Sequence, residues 1–582
     1  MPIEPPYYWQ IANEKYIDTS KRHNYLVNTL KTTVSNLKRI CQTNEYNILQ
    51  IELGYLFEHI KPSLINIISS FVEPLTRDLL KQHDYLNLKW NQKLFDALIN
   101  LDVPDVIYWI FFKVPYYKHY KLDEQRKVMM EMFDYMRIHW DKKKYFNQTT
   151  FMFMTKTTYP LYPVAYQNLS NKELLMKASA TIRTIFPEIN YTNPNLANIK
   201  WSTGKPIRVC FISESLATDS SVLRDRMGII LNLPSSQFDV YYATVRDMSS
   251  NKLIKTPIAS VFYKKMSNRN GQNKYIHLEG NLTKIRETLL PYNFHIIVYP
   301  DIGMKVDQTF LAYSRIAPIQ INTWGHSDTS GIKTIDYYIT SKYFEVEEEV
   351  DSHYSEKPIL LNSFGTYYYS PIEMFIKDKS KIKTRIDYEQ FSEDDHIYWC
   401  MQTFFKFNEG FETVLANILN SDPKAQLLMS GIIPMCRSHM CRIASKLEGD
   451  SMKRIHMFPP LNKADFYSTL NISDVVLDPY PFGGCNSSLE AFDLGVPVVS
   501  MASKFINGRF TYGFYKRMGI TECLVNNYND YTQLALKLAN NKDYRNMISK
   551  RILEEKHVLF EDVGSVKDWA NCLLELASKH FT

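Results

Sequence analysis

Glycine is nearly missing from the first third of this chain: residues 1 to about 200 contain only Gly54, and the other 18 of the 19 glycines come later. So few glycines argue against the tight turns of βαβ units. With Leu, Ile, Lys, Tyr and Phe at i, i+3 and i+4 spacings, this segment is predicted to be helical. The clearest helices are 21–40, 55–71, 105–112 and 123–139. Long apolar runs are missing too. None approaches 18 residues, so no membrane span is expected, and the opening MPIEPPYYWQ lacks a charged-then-apolar leader. The eight cysteines, at 41, 210, 400, 436, 441, 485, 523 and 572, have no paired spacing. Reduced thiols in a cytoplasmic protein are the expectation. Cys436, His439 and Cys441 lack a second CxxC or HxxxH, and no metal is predicted. An excess of one charge is absent as well: 68 basic against 62 acidic residues leave +6, without a long basic arm. This argues against a nucleic-acid partner, and the run 377–385 reads as a solvated link. There is no Walker loop and no GxGxxG.

The composition that remains, 45% hydrophobic and 22% charged, is that of a chain folded throughout. Its 582 residues predict roughly three or four domains. After Thr203-Gly204-Lys205-Pro206 the pattern changes to short apolar runs alternating with helical stretches. Runs at 207–213, 238–245, 295–299, 319–322 and 337–339 predict one parallel sheet. Runs at 397–400, 426–429, 455–457, 475–477, 496–499 and 523–525 predict a second. The division expected is a helical domain at 1–203, one Rossmann-like domain at 204–376, another at 377–545, and closing helices at 546–582 that cross back to the first sheet. Two such sheets face one another across a cleft at their strand carboxyl ends.

The stretch 474–500, DVVLDPYPFGGCNSSLEAFDLGVPVVS, carries the densest chemistry. An apolar strand stops at Asp478-Pro479, and Gly483-Gly484 supply a turn. Asn486, Ser487 and Ser488 are predicted to cap a short helix beginning at Leu489. Free N–H groups and the positive end of the helix dipole then meet at Gly484, Cys485, Asn486 and Ser487, which suits phosphate. Glu490, one turn on, suits a ribose diol.

This stretch resembles the protein glycosyltransferases of the O-GlcNAc transferase, SPINDLY and bacterial cytoplasmic N-glycosyltransferase type. Five further motifs agree: Tyr299-Pro300-Asp301-Ile302-Gly303-Met304, Ala317-Pro318-Ile319-Gln320, the run from Gly325 to Gly331, Asp336-Tyr337-Tyr338-Ile339, and His353-Tyr354-Ser355-Glu356-Lys357. The likeness covers about residue 205 to the end. It implies the GT-B arrangement and an inverting, metal-independent enzyme that moves a sugar, GlcNAc or a hexose, from a UDP donor to Ser or Thr of a protein. Asparagine as acceptor, with UDP-glucose, is the alternative favoured by the YPDIGM and DPYPFG motifs. A non-catalytic nucleotide-binding or scaffold protein is the rival of another class.

By the same likeness, Lys406 stabilises the leaving diphosphate, the backbone near Leu461 and the Lys463 side chain hold uracil, and Gly484 to Ser487 with Glu490 hold diphosphate and ribose. The sequence departs from the family at two histidines. The loop His of the family falls at Asp219 or Ser220, and another falls at Phe466. The general base therefore stays open, with Asp219 and His326 ahead of Asp301 and His295. Arg224 and Arg226 are expected on phosphate or in solvent. No 34-residue repeat is found, so an irregular helical domain replaces tetratricopeptide repeats.

Overall fold

The computed structural model describes residues 122–139, 161–245, 257–376, 378–430 and 433–581. These fall into two compact units. In one, the helix expected at 123–139 spans Leu122–His139. It buries Phe133 and Met136, and Thr181 Oγ1 donates to the Phe133 carbonyl at 2.8 Å. The helices expected at 21–40, 55–71 and 105–112 lie outside the described residues.

The second unit contains the described residues of Lys156–Ser179 and Glu188–Thr582, and with them both sheets. The first sheet has β1 (Ile207–Ile212), β2 (Phe238–Thr244), β3 (Tyr275–His277), β4 (Ile296–Tyr299), β5 (Ile319–Thr323), β6 (Tyr337–Ser341) and β7 (Lys357–Leu361), in the order β3-β2-β1-β4-β5-β6-β7. The second has β8 (His396–Cys400), β9 (Ala425–Ser430), β10 (Ile455–Phe458), β11 (Val475–Leu477), β12 (Val498–Met501) and β13 (Leu524–Val525), in the order β10-β9-β8-β11-β12-β13. Every pairing is parallel. Helices cover both faces, so central strands such as β1, β4 and β11 are apolar on both sides, which is why they read as unbroken runs.

Four helices carry the argument below: α1 (Ser221–Asn232), α2 (Lys463–Ile472), α3 (Asn486–Asp493) and α4 (Val563–Phe581). The core of the second domain continues without a break into Trp324, Phe344 and Phe364 of the first. Phe344 stands edge-on to Phe510 at 5.0 Å and to Phe514 at 5.7 Å. The last helix packs into the first domain's core. Trp569, fully buried, lies 6.2 Å from Phe211, and its Nε1 donates to the Gly365 carbonyl at 2.8 Å. The preceding helix, Lys542–Glu555, instead places Ile548 and Ile552 in the second domain's core. Among the described residues no helix is long and apolar enough to cross a membrane.

Candidate functional site

In a doubly wound sheet, ligands bind where the strand order reverses, beyond the carboxyl ends. The reversals fall between β1 and β4 in one sheet and between β8 and β11 in the other. The loops leaving these strands carry Asp219, Asp301, Lys406 and the turn from Asp478 to Cys485. His326, by contrast, follows β5, and Leu461 and Lys463 follow the edge strand β10.

Lys406 ends the short helical turn Phe404–Lys406 after β8. Its Nζ donates to Gln402 Oε1 at 2.8 Å and to the Gly483 carbonyl at 3.0 Å, and stands 4.4 Å from the centre of the Phe482 ring. Burial pushes this ammonium down to about 8, with Asp478 opposing the shift. Gln402 donates in turn to Ser487 Oγ. Asp478 accepts from the Gly484 N–H at 2.5 Å and from Ser500 Oγ at 2.8 Å, which fixes the glycine turn on its strand.

The helix after that turn starts earlier than the sequence suggests. Its cap position is Cys485, with no side-chain cap bond, and Asn486, Ser487 and Ser488 form the first turn rather than the cap. The Asn486 side chain is taken by the first domain. Tyr368 O–H donates to its Oδ1, and its Nδ2 donates to Asp225 Oδ1 at 2.8 Å. Burial pushes the Asp225 carboxyl up to about 6 against the pull of Arg226. The first N–H groups of α3 lack intrahelical acceptors, and Gln402 links this dipole end, at Ser487, to the Lys406 ammonium.

Glu490, buried on α3, joins three elements. Its Oε1 accepts from Arg224 Nη1 of α1 at 2.7 Å and from Lys463 Nζ of α2 at 2.5 Å. The Lys463 ammonium also lies over Phe375 at 4.5 Å and Phe466 at 5.1 Å. Asn462 caps α2 by accepting from the Asp465 N–H at 3.0 Å, which fixes Lys463 as the first residue of the helix. Leu461, just before it, is half-buried against the second core. The expected uracil and ribose residues are therefore together. Arg224 contacts no solvent-facing phosphate site but a carboxylate 266 residues away.

Arg226 departs from expectation as well. It is fully buried, donates to the Gly365 carbonyl at 2.8 Å, and stacks 4.0 Å over Trp324. It holds the two domains' core rather than a phosphate or solvent.

The base candidates separate by environment. Asp219, half-buried, accepts the Ala259 N–H at 2.8 Å. Burial raises its carboxyl, while the charges of Arg224 and Lys463 nearby pull it down. His326 is buried and stacked on Tyr162 at 5.1 Å, and burial pushes its imidazole down to about 4, so it is neutral at pH 7. Gly303 makes room for it: at φ +96 with a virtual Cβ 2.8 Å from His326 Cδ2, only glycine fits, which accounts for that position of the motif. Asp301 is fully buried and accepts from Ser215 Oγ. His295 lies at the other end of its strand. Its Nδ1 accepts the Arg208 N–H at 2.9 Å and its Nε2 faces the Lys200 carbonyl at 3.0 Å, so both ring nitrogens are used by backbone.

A short aromatic segment escaped the sequence reading. The turn Tyr162–Tyr166 lies against both domains' site loops. Tyr166 stacks on Phe482 at 4.4 Å and meets Phe405 edge-on at 4.8 Å, and the Tyr162 and Tyr166 hydroxyls are 2.5 Å apart. Asn507 Nδ2 donates to the Ala165 carbonyl at 2.6 Å. The tyrosines are thus one ring away from Lys406 and in contact with His326. The only local signal was Pro163 between aromatics.

Residues 374–571 match the model of glycosyl transferase family 41. A tomato (Solanum lycopersicum) protein named probable UDP-N-acetylglucosamine–peptide N-acetylglucosaminyltransferase SPINDLY is 26% identical over 229 residues, 39% of this chain and 24% of that one. The UDP-glucose:protein N-β-glucosyltransferase of Actinobacillus pleuropneumoniae is 24% identical over 307 residues, 51% of this chain and 47% of that one. The chain thus spans about a quarter of the plant relatives' length and about half of the bacterial one's. A solved O-GlcNAc transferase of Thermobaculum terrenum superposes with a TM-score of 0.56 at 13% identity, covering 96% of this chain and 98% of that one, which shows the shared fold.

Proposed function

We propose that the chain, whose residues 374–571 match the model of glycosyl transferase family 41, is an O-GlcNAc transferase-like enzyme that moves a sugar from a UDP donor to Ser or Thr side chains of proteins, inverting the anomeric carbon without a metal. The observation that carries this reading is Lys406, held at the β8 reversal between Gln402 and the Gly483 carbonyl beside the first turn of α3. In the reaction, the acceptor oxygen bonds to the sugar carbon, the bond to the diphosphate oxygen breaks, and UDP leaves with that electron pair. Lys406 and the α3 N–H groups would stabilise the departing charge. Asp219, with its raised carboxyl, would take the acceptor proton, and His326 would shape the acceptor side as a neutral ring. Lys463 and the backbone near Leu461 would hold the base, and Glu490 the ribose. We place the reaction in the cytoplasm, a reading supported by the free thiols of the six described cysteines.

Asparagine is the second acceptor reading. Its support is the bacterial glucosyltransferase, whose likeness covers more of both chains than the plant one does. The test is purified protein with radiolabelled UDP-GlcNAc, UDP-glucose and UDP-galactose, cell lysate as acceptor, and EDTA throughout. Label entering protein, lost in Lys406→Ala, is the expected result. Resistance of the label to alkaline β-elimination would shift the acceptor to asparagine. No label from any donor, with UDP still bound in calorimetry, would overturn the enzymatic reading.

A further inference from the structure

At the opposite end of the first sheet from the site loops, where β1 and β2 begin, lies a cavity of about 520 Å³. Five cations line it against a single carboxylate, Asp239. Two of the five have fixed partners. Lys274 donates to Asp239 at 2.6 Å and to the Tyr241 hydroxyl at 2.9 Å. Arg269 donates to the carbonyls of Ile230 and Leu233 at 2.8 and 3.0 Å, closing the end of α1. The other three, Lys200, Lys205 and Arg208, have no carboxylate partner among the described residues. His295 in the same wall adds no charge. Its Nδ1 accepts a backbone N–H, so protonation would break that bond, and burial lowers its pKa accordingly.

Three cations without a carboxylate partner on one cavity wall concentrate positive potential there, and a guanidinium fork together with two ammonium groups suits a phosphate. The volume exceeds what one phosphate fills. The remaining wall includes Trp201, whose indole is pinned by a 2.7 Å bond from Nε1 to the Lys205 carbonyl. We propose that this cavity binds a phosphorylated small molecule of about nucleotide size, its phosphate on Arg208, Lys200 and Lys205 and its organic body against Trp201. The site is separate from the donor cleft and does not rest on the reading of that cleft.

The test is calorimetric titration of the full chain with ADP and with inorganic pyrophosphate. The expected result is an ADP site that persists in Lys406→Ala, and that weakens about tenfold or more in Arg208→Gln and in Lys205→Gln. Arg208→Lys, which keeps the charge and loses the fork, should fall between. Circular dichroism and thermal melting establish that each variant is folded. Absence of binding by both probes, loss of the ADP site in folded Lys406→Ala, or affinity unchanged in folded Arg208→Gln would each overturn the assignment. Equal affinity for pyrophosphate and ADP would overturn the role given to Trp201.

Discussion

Replacing Glu490 by Gln should uncouple the two α/β domains, because one carboxylate oxygen neutralises a cation from each. The Arg224 and Glu490 side chains are 11% and 4% exposed, so their pair is screened little by water. Lys463 is 37% exposed and can turn outward once its partner is neutral. Removing one member of a buried pair typically costs about 3–5 kcal/mol, and the escape of Lys463 places the expected cost near the lower end, about 3 kcal/mol. Arg224→Met leaves Glu490 its bond to Lys463 and should cost less, about 1–2 kcal/mol. A double-mutant cycle of these two changes should return a coupling of about 2 kcal/mol. The assay is urea unfolding followed by the fluorescence of the buried Trp399 and Trp569, one in each domain's core. If Glu490→Gln unfolds at the wild-type midpoint, or the cycle shows no coupling, the buried clasp is not what joins these surfaces.

Other perturbations test separate parts of the argument. Lys406→Ala should lower transfer about 100-fold or more with UDP affinity largely kept, and in the wild type kcat/KM should fall as pH rises through about 8, where the ammonium loses its proton. Since burial lowers this group from 10.5, the unfolded chain binds the proton more tightly between those values. Stability therefore rises over that interval while activity falls, and a pH–rate profile flat to pH 9.5 would contradict the role. Gly228→Ala should cost about 3 kcal/mol, because the added Cβ would sit 2.0 Å from the Tyr367 carbonyl oxygen and α1 must move; an unchanged Tm would refute it. Trp569→Ala should cost about 4 kcal/mol by urea unfolding, through the cavity left in the first core and the unpaired Gly365 carbonyl.

The central strands were legible because both faces of them are buried, so 209–212 or 475–477 can only be apolar. The edge strands of the first sheet were not, although those of the second, β10 and β13, were. β3 has three residues with a half-buried alternation, and β7 opens on Lys357-Pro358, which reads as a loop. Lys406, Lys463 and Glu490 were visible through their motifs, yet Arg224 was not seen as Glu490's partner, since nothing local relates residues 266 apart. The misplaced cap at Asn486 has a definite cause. Asn-Ser-Ser offers cap chemistry to its own backbone, but Tyr368 and Asp225 offered the asparagine two bonds from across the domain boundary, and the helix began at Asn486, three residues before the predicted Leu489.

The crossing of α4 back to the first sheet sets an order of events during synthesis. Strands β1 to β7 leave the ribosome long before Val563–Phe581 does, and until then the slot over Phe211 that Trp569 fills is an open apolar groove. Of the two α/β domains, the one translated earlier is thus the one completed later. A nascent chain stalled anywhere in the second domain carries that groove exposed, a natural point for a chaperone to hold it.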